Sequence, residues 1–213
     1  VPFKPIVGVE AYCARRSRLS KDASQKEISA NGKEQITDYS GWHLILLAKN
    51  KTGYHNLCKM VSLAFIEGKY GRPRIDKELL TQYHEGIIVS SACLGGELPQ
   101  LIMKGKIDEA EASIRWFKSV FGDDYYIELQ RHKTDKPGGD QEVYMRQQEV
   151  NPILIELARK TDTKIICTND AHFVEEEHAD AHDHLICVST GTLVDETRRM
   201  HYTKQEWLKT PDE

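Results

Sequence analysis

Five short apolar segments punctuate the chain: 5–12 (PIVGVEAY), 43–48 (HLILLA), 86–93 (GIIVSSAC), 125–130 (YYIELQ) and 164–168 (KIICT). Each is rich in β-branched or aromatic residues and continuous rather than alternating, which suits strands buried on both faces, as in parallel sheets. Between them apolar residues recur at helical spacing. Tyr54, Leu57, Cys58, Val61 and Ala64 form one stripe, and Ile107, Ala110, Ile114, Phe117 and Phe121 a second. Val150, Ile153, Leu154, Leu157 and Ala158 form a third. Strand followed by helix, repeated, predicts an α/β fold with a parallel sheet, of which a barrel is one closed form.

Residues 14–40 break this rhythm. Arg15, Arg16, Arg18, Lys21, Lys26 and Lys33 sit among Ser, Asn, Gly and Gln with almost no aliphatic content. The stretch is expected to be a long insertion between the first two strands, and a solvated hairpin or loop is favoured over a nucleic-acid contact. A second loop is expected over 131–141, broken by Pro137-Gly138-Gly139. There is no fixed-period repeat.

Composition narrows the class. The 213 residues are 39% hydrophobic and 29% charged, ordinary for one globular domain, and no apolar run approaches the roughly 20 residues a spanning helix needs. A formal charge of −4 lacks the basic excess of a domain that grips nucleic acid by itself. Five cysteines, widely spaced and without a C-x-x-C pair, argue against a disulfide framework and for a reducing, cytoplasmic setting. The chain opens on Val1 and runs almost directly into Ile6-Val7-Gly8-Val9, so it is expected to be cut from something longer.

In parallel α/β folds chemistry collects at the carboxyl ends of strands. The first apolar run carries Glu10 near its end. The third ends in Cys93, followed by Leu94-Gly95-Gly96, the fourth leads to His132, and the fifth to Asn169-Asp170-Ala171-His172. Carboxylate, thiol and imidazole groups of this kind bind zinc and similar metals. Asp170 and His172 are two apart, so in an extended segment they share a face while Asn169 points elsewhere. Each residue has a plainer explanation. Asp170 reads as a helix cap, His43 as a half-buried strand histidine and Cys93 as a small buried hydrophobe, and a tight turn explains Gly95-Gly96 as well as a phosphate cradle does. His178 and His182, spaced i, i+4, offer a rival helical site, but the glutamate placement of a zinc protease is missing and an exposed polar face accounts for them.

The strings KPIVGVEAY, WHLILLAKNKTGYHNLCKMVS, EGIIVSSACLGGELPQLI, YYIELQRH and TNDAHF together resemble the PHP (polymerase and histidinol phosphatase) domain of bacterial DNA polymerase III alpha subunits. The order and spacing fit from residue 4 onward, apart from the 14–40 insertion, whose length varies in the family. The resemblance implies a distorted, TIM-like (β/α)7 barrel with up to three metals, zinc or manganese, at its mouth. Here the barrel is expected to be incomplete, with about five strand–helix units. It implies Glu10, His43, Cys93, Asp170 and His172 as metal ligands, with His132 and Asn169 as site neighbours. The family's first two motifs, an H-x-H pair and an Asp-His pair, belong upstream of Lys4. Residues 1–200 are then the PHP domain and 201–213 the start of the linker toward the polymerase palm, whose own metal is Mg.

The resemblance further implies a parent that synthesises DNA from dNTPs beside other replisome subunits, with no membrane partner. The domain itself is either a metal-dependent 3′–5′ exonuclease or a structural support. A free-standing phosphatase such as histidinol phosphatase is the remaining alternative. An incomplete barrel is also expected to self-associate through its open strand edges.

Overall fold

The computed structural model describes residues 4–28, 34–196, 199–210 and 212. The first apolar segment forms β1 (Gly8–Cys13). The polar insertion follows, with β2 (Lys26–Ile28) and β3 (Glu34–Ile36) paired antiparallel as a small separate sheet. Then come β4 (Trp42–Ala48), helix α1 (Lys51–Ile66), the two-residue β5 (Arg74–Ile75), α2 (Lys77–Gln82), β6 (Ile87–Ser90), α3 (Glu97–Met103) and α4 (Ile107–Phe121). The chain continues through β7 (Tyr125–Leu129), α5 (Glu142–Lys160), β8 (Lys164–Cys167) and α6 (Ala179–Thr190). The main sheet has six strands in the order β5-β1-β4-β6-β7-β8.

The alternation of strand and helix is the expected α/β plan, and among the described residues the sheet is open, not closed into a barrel. Pairing within it is mixed. β6 and β7 are parallel, as are β1 and β5, whereas β4 runs antiparallel to both β1 and β6. Continuous apolar runs report burial and carry no information about direction, so a strand covered on both faces looks the same in either orientation. Two runs expected to be buried on both faces are not. Glu10 and Gly8 of β1 are exposed, as are Lys164, Ile165 and Cys167 of β8.

The described residues form two compact units, 1–128 with 153–166 and 129–152 with 167–213. In the first, the centre of the sheet makes the core. Leu44 and Leu46 of β4, Ile87 and Val89 of β6, and Tyr125 and Ile127 of β7 are buried, as are Leu57, Met60 and Ala64 of α1 and Ile114, Phe117 and Phe121 of α4. Phe117 stacks on Tyr125, with ring centroids 4.8 Å apart. Helix α1 starts at Asn50, whose side chain accepts from Gly53 N at 2.9 Å. Gly53 is required there, since a Cβ would lie 1.8 Å from the Gly86 carbonyl oxygen.

The insertion is held by ion pairs. Arg15 meets Glu27, Arg16 forks onto Asp38, and Arg18 binds Glu67, Asp76 and Glu78. Beneath them lies Arg74, fully buried, with its guanidinium donating to the carbonyls of Gly68, Asp38, Arg18 and Ser20. The insertion's arginines are therefore bound within the protein.

In the second unit α6 is followed by residues 199–210. Arg199 makes two 2.6 Å bonds to Asp183. Thr203 and Glu206 are buried, and Glu206 accepts from the Thr203 amide and hydroxyl. The stretch expected to begin a linker is thus packed within this unit. No helix among the described residues is long and apolar enough to cross a membrane.

Candidate metal centre

Glu10, Tyr12 and His43 reach one face of the sheet through strand register. Tyr12 stands opposite His43 and Glu10 opposite Ile45 in the antiparallel β1–β4 pair. Glu10 and Tyr12 are two apart and share a face, and Glu10 is diagonal to His43, within reach of a long side chain. Glu10 Oε1 lies 2.7 Å from His43 Nδ1, and the Tyr12 ring meets the His43 ring edge-on at 5.1 Å.

Cys93 arrives from the turn after β6. Its Sγ is 3.5 Å from His43 Nδ1 and 4.0 Å from Glu10 Oε1. Ala92, immediately before it, is buried and held at φ +60°, a left-handed conformation that costs a residue with a Cβ on the order of 1 kcal/mol or more. The two glycines that follow have separate tasks. A Cβ on Gly95 would crowd the His43 ring at 3.1 Å, and one on Gly96 would sit 2.1 Å from Ser91 O. The Gly96 N–H already donates to Cys93 O at 2.8 Å, and His43 N donates to Gly95 O at 3.0 Å. The Gly-Gly pair is therefore a tight turn that accommodates the histidine.

One ligand atom from each of Glu10, His43 and Cys93 lies within 4.8 Å of the other two. Burial works against charging His43, but the Cys93 sulfur and the Glu10 carboxylate outweigh it and push its pKa up to about 10. Three donors that gather around one proton offer the same lone pairs to a divalent cation. A carboxylate, an imidazole and a thiol are a set that zinc accepts, and a hard cation such as Mg would leave the thiol unused. The residues present fit a zinc-like metal.

Asp170 and His172 belong to the second unit. His172 Nε2 lies 3.6 Å from Asp170 Oδ1, and Asp170 adopts φ +48°. The His172 ring packs against Tyr202 at 4.8 Å and His182 at 5.6 Å. His132 is buried and Asn169 directs its amide to the carbonyls of Gln205 and Trp207, at 2.9 and 2.6 Å. The rival pair separates. His178 accepts from the Glu175 amide, whereas His182 packs on Phe173, His172 and Tyr202. Burial and the neighbouring His172 hold the His182 pKa down. Sequence reasoning missed Tyr12, which braces His43, and Gln147, which braces His132. Neither carries a motif, and each gains its role from a partner distant in sequence.

The PHP domain family profile matches residues 2–132. Over 212 residues, 99% of this chain, the sequence is 40% identical to the DNA polymerase III subunit alpha of Borreliella burgdorferi and covers 17% of that protein. It is 39% identical to the subunit of the same name from Thermus aquaticus and 38% to that of Deinococcus radiodurans, in each case over 99% of this chain. The chain covers 16% and 14% of those two proteins, so it spans only a small part of the curated relatives it matches.

Proposed function

Because this chain belongs to the PHP domain family, we propose that it is the PHP portion of a DNA polymerase III alpha subunit and that Glu10, His43 and Cys93 bind a divalent metal. The convergence of those three donors within 4.8 Å carries the reading. Asp170 and His172 are proposed as a further donor pair within the second unit. Zinc or manganese is the expected ion, and the domain is proposed to act as a 3′–5′ exonuclease or phosphoesterase. In the parent, DNA, dNTPs and other replisome subunits are the partners and the cytoplasm is the setting. Polymerisation itself is assigned to a palm with its own Mg.

When bound, the metal supplies Lewis-acid polarisation of a phosphoryl oxygen. The chain's own residues prepare for it. Tyr12 fixes the plane of the His43 ring, Gly95 leaves room for that ring, and Glu10 orients Nδ1 toward the Cys93 sulfur.

The test is elemental analysis of the purified chain after incubation with zinc or manganese and removal of the excess, beside Glu10→Ala and Cys93→Ala. Stoichiometric metal in the parent, lost in both variants, supports the site and directs a 3′-end nuclease assay at the loaded protein. A parent that retains no metal assigns the domain a structural role in the polymerase.

A further inference from the structure

His132 is 3% exposed, and both ring nitrogens and the backbone N–H are engaged. Gln147 of α5 grips it twice: Gln147 Oε1 accepts from the His132 backbone N–H at 2.7 Å, and Gln147 Nε2 donates to His132 Nδ1 at 2.9 Å. Because Nδ1 accepts, the ring carries its proton on Nε2, and Nε2 donates to the Asn169 carbonyl oxygen at 2.9 Å. Gln147 is itself 2% exposed, so the side chain that fixes the tautomer has no alternative partner in solvent.

The Asn169 carbonyl and the Asp170 nitrogen share one planar peptide. Anchoring that carbonyl sets the plane from which Asp170 turns into its left-handed conformation at φ +48°. The other side of the same residue is pinned as well, by the Asn169 amide on Gln205 O and Trp207 O. Downstream, the His172 amide donates to Glu206 O at 2.7 Å. The three-residue turn carrying both acid and imidazole is therefore fixed at its start by His132 and at its end by the 205–207 segment.

We propose that His132 is a positioning residue for Asp170 and His172, holding through the Asn169 carbonyl the turn that presents both side chains as metal ligands. This inference rests on the reading that Asp170 and His172 take metal. His132 does not itself touch the ion. It acts as outer partners of metal ligands do, by removing conformations in which the ligands point apart.

Zinc affinity and stoichiometry, measured by competition with a chromophoric chelator, test it on the full chain and on Asp170→Ala, His132→Gln, His132→Asn and His132→Phe. Glutamine extends an N–H donor close to where Nε2 stands, and asparagine falls short of it. We expect His132→Phe and His132→Asn to bind zinc about 10–100-fold more weakly and His132→Gln to stay within a few-fold of the parent. If Asp170→Ala binds zinc like the parent, the ligand reading fails before the positioning role is reached. If Asp170→Ala weakens binding while His132→Asn does not, the ligand reading stands and the positioning role is overturned. Nitrogen-15 spectra of the parent's histidine rings give an answer independent of any variant's folding. His132 protonated on Nε2 is expected, and protonation on Nδ1 would overturn the clamp.

Discussion

Gly95 lacks a side chain where the His43 ring needs space. A methyl group there would stand 3.1 Å from His43 Cγ, so the ring would have to move by a few tenths of an ångström. Gly95→Ala is therefore expected to weaken zinc binding by about tenfold, the lower end of the loss seen when a ligand's outer support is disturbed. Chelator competition measures it, and parent-like affinity would separate the glycine from the site. Phe117 gives the contrasting case. It is 1% exposed and stacked on Tyr125, so Phe117→Ala is expected to cost about 3–5 kcal/mol in urea unfolding. Individual residues were the most legible scale where chemistry is distinctive. Glu10, His43 and Cys93 were named by the PHP resemblance, and strand register explains how residues from β1, β4 and the turn after β6 converge. Tyr12, Gln147 and Arg74 were illegible, because an isolated tyrosine, glutamine or arginine shows nothing of the partner it will face.

At the scale of elements, helices α1, α4 and α5 were readable because apolar periodicity over 15 or more residues outweighs local ambiguity. The short elements β5, α2 and α3 were not, since two to seven residues hold no full period. The insertion misled in a more instructive way. Its polar composition suggested a solvated hairpin or loop, and β2 and β3 do pair antiparallel there with exposed or half-buried side chains, yet its arginines find acidic partners and its backbone carbonyls find Arg74. Arg74→Met is expected to leave four carbonyls without that donor, at about 1–3 kcal/mol for each that water cannot reach. Thermal unfolding should shift sharply downward, and limited trypsin digestion should open first at Lys21 and Lys26. Unchanged cleavage would mean that the insertion is held without the arginine.

For the whole molecule, two properties follow from charge and from sheet edges. Several carboxyls are held below their ordinary range by cations: Asp38 by Arg16, Asp183 by Arg199, Asp180 by Lys204 and Glu111 by Lys160 and Arg115. A carboxyl with a lowered folded pKa adds stability above its unfolded value, about 3.9 for Asp and 4.3 for Glu, and loses that contribution as the pH falls through the folded value. Stability by chemical denaturation should therefore decline below about pH 4, after a smaller loss that begins below about pH 6.5 as His182, whose pKa is lowered, takes up its proton. A curve flat down to about pH 3 would show that these carboxyl pairs add nothing. Among the described residues the outermost strands of the main sheet are β5 and β8, and on β8 Ile165 is 37% exposed. An apolar edge strand pairs readily with another copy, so light scattering should show association that grows with concentration and is reduced in Ile165→Lys. Arg74 bears, finally, on how such chains can be exchanged with one another. A chimera that replaces residues 14–40 with a shorter loop would inherit a buried cation with only the Gly68 carbonyl left to receive it. Insertion and arginine are therefore a pair to be exchanged together when such chains are recombined.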